Sequence, residues 1–173
     1  MALGRLGDAH DLLVAELQTL LGIERRLEEL LPLYAGEAHD VQTRQGIERH
    51  AAETRQHVLN LETALRVVGA DPEAVSSLGL EGLERQHARE RESVVDAALG
   101  DLSDLVLLGH AGRLEHLEIA VYESAALKAE ILGEEDIVHL VSANLEDERR
   151  MLDEGHAVSH RLASALARAR VGA

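Results

Sequence analysis

The stretch Gly112-Arg-Leu-Glu-His-Leu-Glu-Ile-Ala-Val-Tyr122 decides how this chain folds. Read as helix, it sets Glu115 in the stripe Leu105, Leu108, Gly112, Ile119, Tyr122, Ala126. Glu118 falls in the adjoining stripe Leu107, Ala111, Leu114, Val121, Ala125. Both stripes are otherwise uncharged and repeat at three- and four-residue steps, the pattern of a core-facing helix surface. A buried carboxylate costs several kcal/mol unless something pairs with it. Two of them one helical turn apart cannot neutralise each other, so the pattern asks for a cation, and a bound metal ion would meet that need.

Working outward, this stretch lies in the third of four long predicted helices, which starts near Asp101 or Ser103 and stops at Gly133. The first runs from an N-cap at Asp8 to about Glu37, with Ala9, Leu13, Glu16, Leu20, Ile23 and Leu27 on one face. Pro32 is expected to kink it or end its regular part. After a polar turn at Ala38–Asp40, the second runs from Val41 to Val68, with Gly69 as its C′ residue. Its core stripe is Ile47, Ala51, Thr54, Val58, Leu61, Leu65, Val68; Glu53 and His57 flank that stripe at i and i+4, with His50 one turn before. The fourth starts in the acidic turn Glu134–Asp136 and runs to about Arg168, with Ile137, Val141, Leu145, Glu148 and Leu152 on one face. The tail from Arg168 to Ala173 is expected to fray. Residues 73–100 read as one or two short helices crossing between the second and third, and Glu84-Arg-Gln-His-Ala-Arg-Glu-Arg-Glu92 as a solvated charged face. The expectation is an all-α fold, a four-helix bundle with a short-helix crossover, in one domain over residues 1–173 with its core at about 8–168.

Composition agrees with helix. The chain of 173 residues is 46% hydrophobic, yet has no Phe, no Trp and only Tyr34 and Tyr122. A β-sandwich or barrel would draw on aromatic and β-branched side chains. The formal net charge is −15, from 32 acidic against 17 basic residues, which argues against a nucleic-acid partner. With no Cys, disulfides, thiolate catalysis and Cys-based zinc sites are excluded. The first residues are too soon interrupted by charge for a signal peptide, and no apolar run nears the ~20 residues that span a bilayer. A cytoplasmic protein without membrane contact is expected.

Each long helix brings a carboxylate to a core-facing or core-edge position: Glu16, then Glu53 with His57, then Glu115 and Glu118, then Glu148. Hard oxygen donors from four helices, with a few nitrogen donors, suit two iron or manganese ions. The alternative is a metal-free structural or interaction protein in which these Glu residues pair with Arg26, Arg113 or Arg149. Gly109 and Gly112 read as close-packing positions, and His156 and His160 as a solvated pair. No nucleophile elbow, phosphate loop or dinucleotide fingerprint is present.

Glu115-His-Leu-Glu-Ile-Ala-Val-Tyr122 resembles the EHYEIAxY signature of the YciE/YciF family of ferritin-like proteins, often linked to bacterial stress responses. His50-Ala-Ala-Glu-Thr-Arg-Gln-His-Val58 resembles the family's HxxETxxQV segment, with His57 at the Gln position, and Asp11-Leu-Leu-Val-Ala-Glu16 resembles DLYxAE. Leu132-Gly133 and Asn144-Leu-Glu-Asp-Glu148 resemble its LG turn and TLEEE run, so the similarity covers roughly residues 8 to 160. The resemblance implies a ferritin-like bundle with a di-iron site, and a homodimer; the function expected of the chain is a dinuclear iron or manganese centre acting in a stress response, oxidising Fe(II) or reducing peroxide. Carried over position by position, the ligands are Glu16, Glu53, Glu115, Glu118 and Glu148, with His57 in addition. The departures are Gln56 and Met151, where ferritin-like sites commonly place His, and Leu13 and Leu117, where Tyr is usual.

Overall fold

Asp8, Asp40 and Ser77 each accept a backbone N–H three residues on, and so start α1 (Ala9–Glu37), α2 (Val41–Val67) and α3 (Leu78–Glu92). A short side-chain acceptor there satisfies a donor that the helix itself cannot. α4 (Gly100–Leu132) and α5 (Glu135–Val171) complete the order in this computed structural model, which describes residues 6–94 and 100–171. No strand occurs among the described residues. α2 and α4 end as predicted, at Gly69 and Gly133, whose φ values of 80° and 77° suit glycine. Ala70 N–H and Glu134 N–H then close the ends on the carbonyls of Leu65 and Ala129 at 2.8 and 2.9 Å. α1 runs through Pro32 to Glu37. α5 continues to Val171, and the last two residues of the tail expected to fray lie outside the described residues.

Contacts between the long helices set their directions. Along α1 and α4, Tyr34 meets His110, Glu24 meets Tyr122 and Glu16 meets Lys128, so these two are antiparallel. Along α2 and α5, Asp40 at the N-cap meets Arg161, Arg49 meets Glu154 and Asn60 meets Asn144, again antiparallel. Short turns fold α2 back on α1 and α5 back on α4, and the four long helices pack in the cyclic order α1, α2, α5, α4. α2 and α4 therefore run the same way, and the segment through α3 joins the end of one to the start of the other. Asp104 on α4, fully buried, accepts the backbone N–H groups of His39 and Asp40 and so ties α4 to the α1–α2 turn.

The connection lies tightly on α1. Val75 N–H donates to the Gln18 carbonyl at 3.0 Å, and a Cβ placed on Gly22 would sit 1.9 Å from the Val75 carbonyl oxygen. Backbone cannot yield as a side-chain tip can, so Gly22→Ala is expected to lower stability by roughly 2–3 kcal/mol, read from the urea midpoint. An unchanged midpoint would show that the connection is free to shift.

α3 packs on one side only, and apart from His87 its charge run is the largely solvated face expected. Leu80 and His87 are buried, and Arg26–Glu84, Arg91–Glu37 and Arg113–Glu90 ion pairs tie the helix to α1 and α4. The glycines of α4 differ from the close-packing expectation. Gly109 is exposed, and a Cβ on Gly112 would find nothing nearer than Leu152 Cδ1 at 3.8 Å.

The apolar interior forms two clusters. One gathers Leu17, Leu20, Leu61, Leu65, Tyr122, Ile137 and Val141; the other gathers Ile23, Leu27, Leu31, Ile47, Leu107 and Leu114. Burying each such Leu or Ile contributes roughly 1.5–3 kcal/mol, which is what allows charged groups between the clusters. No helix among the described residues is long and apolar enough to cross a membrane.

Candidate metal centre

Between the two apolar clusters lies a layer of buried titratable side chains. α1 supplies Glu24, α2 supplies His50 and His57, α4 supplies Glu115 and Glu118, and α5 supplies Glu148, all buried. They fall into two groups whose donor atoms lie within 4.8 Å of one another: His50, Glu115, Glu118 and Glu148; and Glu24, His57 and Glu148. Glu148 belongs to both. A third group, Asp8, His10 and Asp11, is exposed and locally accounted for, with Asp8 capping α1 and His10 bonded to the Val68 carbonyl.

In the first group, His50 Nε2 stands 3.5 Å from Glu115 Oε1 and 3.8 Å from Glu148 Oε2. In the second, His57 Nδ1 lies 2.9 Å from Glu148 Oε1 and 3.2 Å from Glu24 Oε1. The Tyr122 hydroxyl donates to Glu24 and accepts from Asn144 Nδ2 at 2.9 Å, and Asn60 Nδ2 donates to Asn144 Oδ1 at 2.7 Å. This chain of bonds holds Glu24 in place from three neighbouring helices.

Charge in the layer is unevenly held. Burial pushes the Glu118 carboxyl well above its ordinary range, and the charges of Glu148, Glu24 and Glu115 add to the push. Burial likewise raises Glu115 well above that range, with Glu148 the next cause. Burial alone would raise Glu148 as well, but His50 and His57 outweigh it and hold Glu148 at about 2. Burial alone would lower His57, and its hydrogen bonds to Glu148 and Glu24 outweigh that and raise it to about 11. Glu24 is raised, chiefly by burial, with His57 opposing. Without metal, then, the His57 imidazolium faces several carboxyls that cannot all ionise.

Several oxygens in the layer lack any hydrogen-bond partner: both of Glu118, and Oε2 of Glu24 and of Glu115. The arginines that could have neutralised such groups are engaged elsewhere, Arg26 with Glu84 and Glu29, Arg113 with Glu90, and Arg149 with Glu123. Buried oxygens that neither a donor nor a cation satisfies are of the type that suits a hard cation. The cluster could hold a metal ion.

Glu115, Glu118, Glu148 and His57, all expected from sequence, are brought together here. Glu53 is half-buried at the edge of the layer; one oxygen pairs with Arg150 at 2.7 Å and the other has no partner. Glu16 is not brought to the layer. It pairs with Lys128 at 3.0 Å, accepts from Ser124 at 2.9 Å, and stands eight residues, or roughly 12 Å of helix, before Glu24. Sequence reasoning passed over Glu24, although Leu17, Leu20, Leu27 and Leu31 place it within an apolar stripe. His50, which opens the HxxETxxQV-like segment, is not among the ligands expected from sequence, yet the fold buries it in the layer. Gln56 is exposed and bonds Asn60, so the nitrogen donors come from positions 50 and 57.

A second buried group was not foreseen. His87 and His110 stack with ring centroids 4.2 Å apart and planes 7° from parallel, and His110 Nε2 lies 3.1 Å from the Tyr34 hydroxyl. Burial, with the charges of His87 and Arg113, lowers His110 to about 3, and burial lowers His87 too. Stacked rings direct their nitrogens side by side and do not converge on one ion, so this pair is a neutral packing element joining α3 to α4.

Comparison with known proteins agrees with this fold. No curated protein matches the chain significantly in sequence. Among solved structures, the stress protein YciF of E. coli superposes with a TM-score of 0.84 at 21% identity, over 92% of this chain and 99% of that one. YcfI of Rhodopseudomonas palustris superposes with a TM-score of 0.83 at 24% identity, over 90% and 98%. A protein of Xanthomonas campestris pv. campestris does so at 0.74 and 21%, over 94% and 99%. The family model described as a domain of unknown function, DUF892, matches residues 8–166. The chain therefore belongs to the DUF892 family, and the likeness to YciE/YciF read in its motifs holds for family and fold.

Proposed function

We propose that the chain is one ferritin-like four-helix-bundle domain holding a dinuclear iron or manganese centre that serves in a stress response, oxidising Fe(II) or reducing peroxide. The ligands in this reading are Glu24, His50, His57, Glu115, Glu118 and Glu148, with Glu148 common to both ion positions and Glu53 at the edge. A homodimer and a cytoplasmic setting, both expected from the sequence, belong to the same reading. The observation that carries it is Glu118, fully buried with no partner for either oxygen.

A bound pair of such ions supplies one-electron redox chemistry in a hard oxygen-donor site. The chain's own residues do the rest. The apolar cluster around Leu17, Leu61 and Tyr122 excludes water on one side. Tyr122 and Asn144 orient Glu24. His57 joins the buried carboxyls at Nδ1 to Asp147 at Nε2, 3.3 Å away, and Asp147 is one-third exposed. A proton displaced from the layer thus has a route to solvent.

The metal-free structural alternative draws support from one observation, the His57 imidazolium already set between Glu24 and Glu148. Metal analysis of protein purified after growth with iron and manganese separates the two. About two ions per chain are expected, and fewer than about one under saturating metal would overturn the proposal.

A further inference from the structure

Beside the layer, among α1, α2, α4 and α5, lies a cavity of about 430 Å³. That is within the roughly 300–1,000 Å³ usual for small-molecule pockets. The surface it presents is mostly apolar, with Leu27, Leu31, Leu107 and Leu114 contributing, but it also reaches His50 and Glu115. Both are buried, and His50 Nδ1 and Glu115 Oε2 have no hydrogen-bond partner.

Gly46, Gly112 and Gly155, from three different helices, line the same cavity. A Cβ would meet only Arg49 at 4.0 Å on Gly46 and only Leu152 at 3.8 Å on Gly112, and nothing within 4 Å on Gly155. A mid-helix glycine weakens its helix relative to alanine. Here neither close packing nor a positive φ requires one, and what the three positions share is open space.

The cavity's two guanidinium groups are both occupied, Arg49 by Glu154 and Arg161 by Asp40. With these cations taken and carboxyls at the polar end, the pocket does not suit an anion. We propose that it binds an uncharged apolar alcohol, phenolic or aliphatic, with its hydroxyl on Glu115 and His50 and its body against the leucines. The inference rests on the preceding proposal only for what lies at the polar end.

Calorimetric titration of the full chain, metal-loaded and metal-free, with 4-propylphenol, 1-hexanol and hexanoate tests this, with metal content measured on the same samples. At least one alcohol is expected to bind, at least tenfold tighter than hexanoate; which of the two binds tells phenolic from aliphatic. Gly112→Leu and Gly155→Leu each fill the cavity, and each is expected to weaken that binding at least tenfold while metal content stays. Should Gly112→Leu fail to fold, Gly155→Leu, whose Cβ meets nothing, decides. Metal retained without alcohol binding, or binding indifferent to both variants, would overturn the pocket alone. Alcohol binding by a chain that takes up no metal under saturating metal would overturn the metal centre and keep the pocket. If light scattering shows the leucine variants changing the oligomeric state and the parent binds no alcohol, the cavity face is a contact between copies and the inference fails.

Discussion

Glu118→Gln is expected to remove most of any metal-dependent rise in melting temperature while leaving the metal-free protein as stable as the parent or more so. The glutamine keeps the shape of the side chain and removes its acidity. In the metal-free molecule nothing is lost, because neither Glu118 oxygen has a partner and burial already opposes its charge. With metal present, an anionic donor disappears from the group it shares with His50, Glu115 and Glu148. An ion at a hundred times its Kd stabilises the fold by roughly 2.7 kcal/mol. For a domain of this size that amounts to roughly 5–10 °C, most of which the variant should lose. Thermal melts of parent and variant with and without Mn(II) or Fe(II) measure it. A variant destabilised by several kcal/mol without metal, beside a parent that ignores metal, would mean that Glu118 has a structural task instead.

His57→Leu should act in the opposite sense on the metal-free protein. The imidazolium lies between Glu148 and Glu24, and removing it leaves two fully buried carboxyls without their cation. Breaking one partner out of a buried ion pair costs roughly 3–5 kcal/mol. The dependence on pH follows from His57 being raised to about 11 from its ordinary 6.5. The fold binds this proton more tightly than the unfolded chain does, so the stabilisation is complete below 6.5 and is lost as pH rises through about 11. Parent and variant should therefore differ most near pH 6, and the gap should narrow steadily toward pH 10 in urea unfolding. A gap that stays constant over that range would show a neutral His57. Metal uptake must displace the same proton, so affinity for metal should climb as pH rises.

These two residues also mark how far the chain could be read before folding. Glu115, Glu118 and Glu148 were legible because each interrupts an apolar stripe with few competing charges, and helical periodicity alone assigns such a residue to the inward face. The cap at Asp8 and the stops at Gly69 and Gly133 were legible for a local reason, since backbone donors, acceptors and φ demand particular side chains there. α1 was ambiguous. It buries Leu13, Leu17, Leu20, Leu21, Ile23 and Leu27, so more than one of its faces points inward and both Glu16 and Glu24 qualify.

Periodicity states the direction in which a side chain points around its helix and leaves open the height at which it meets its neighbours. That height is set by how the turn at Ala38–Asp40, the crossing segment on Gly22 and the leucine clusters seat the helices against one another. It brings Glu24 level with Tyr122, His57 and Glu148, and puts Glu16 beside Lys128 and Ser124. It also closes α4 and α5 over His50, which the sequence left at the edge of a stripe. The sequence by itself determined that α4 and α5 would carry carboxylates into an apolar interior. Only the tertiary structure decided which of them meet, because that depends on the axial register between helices.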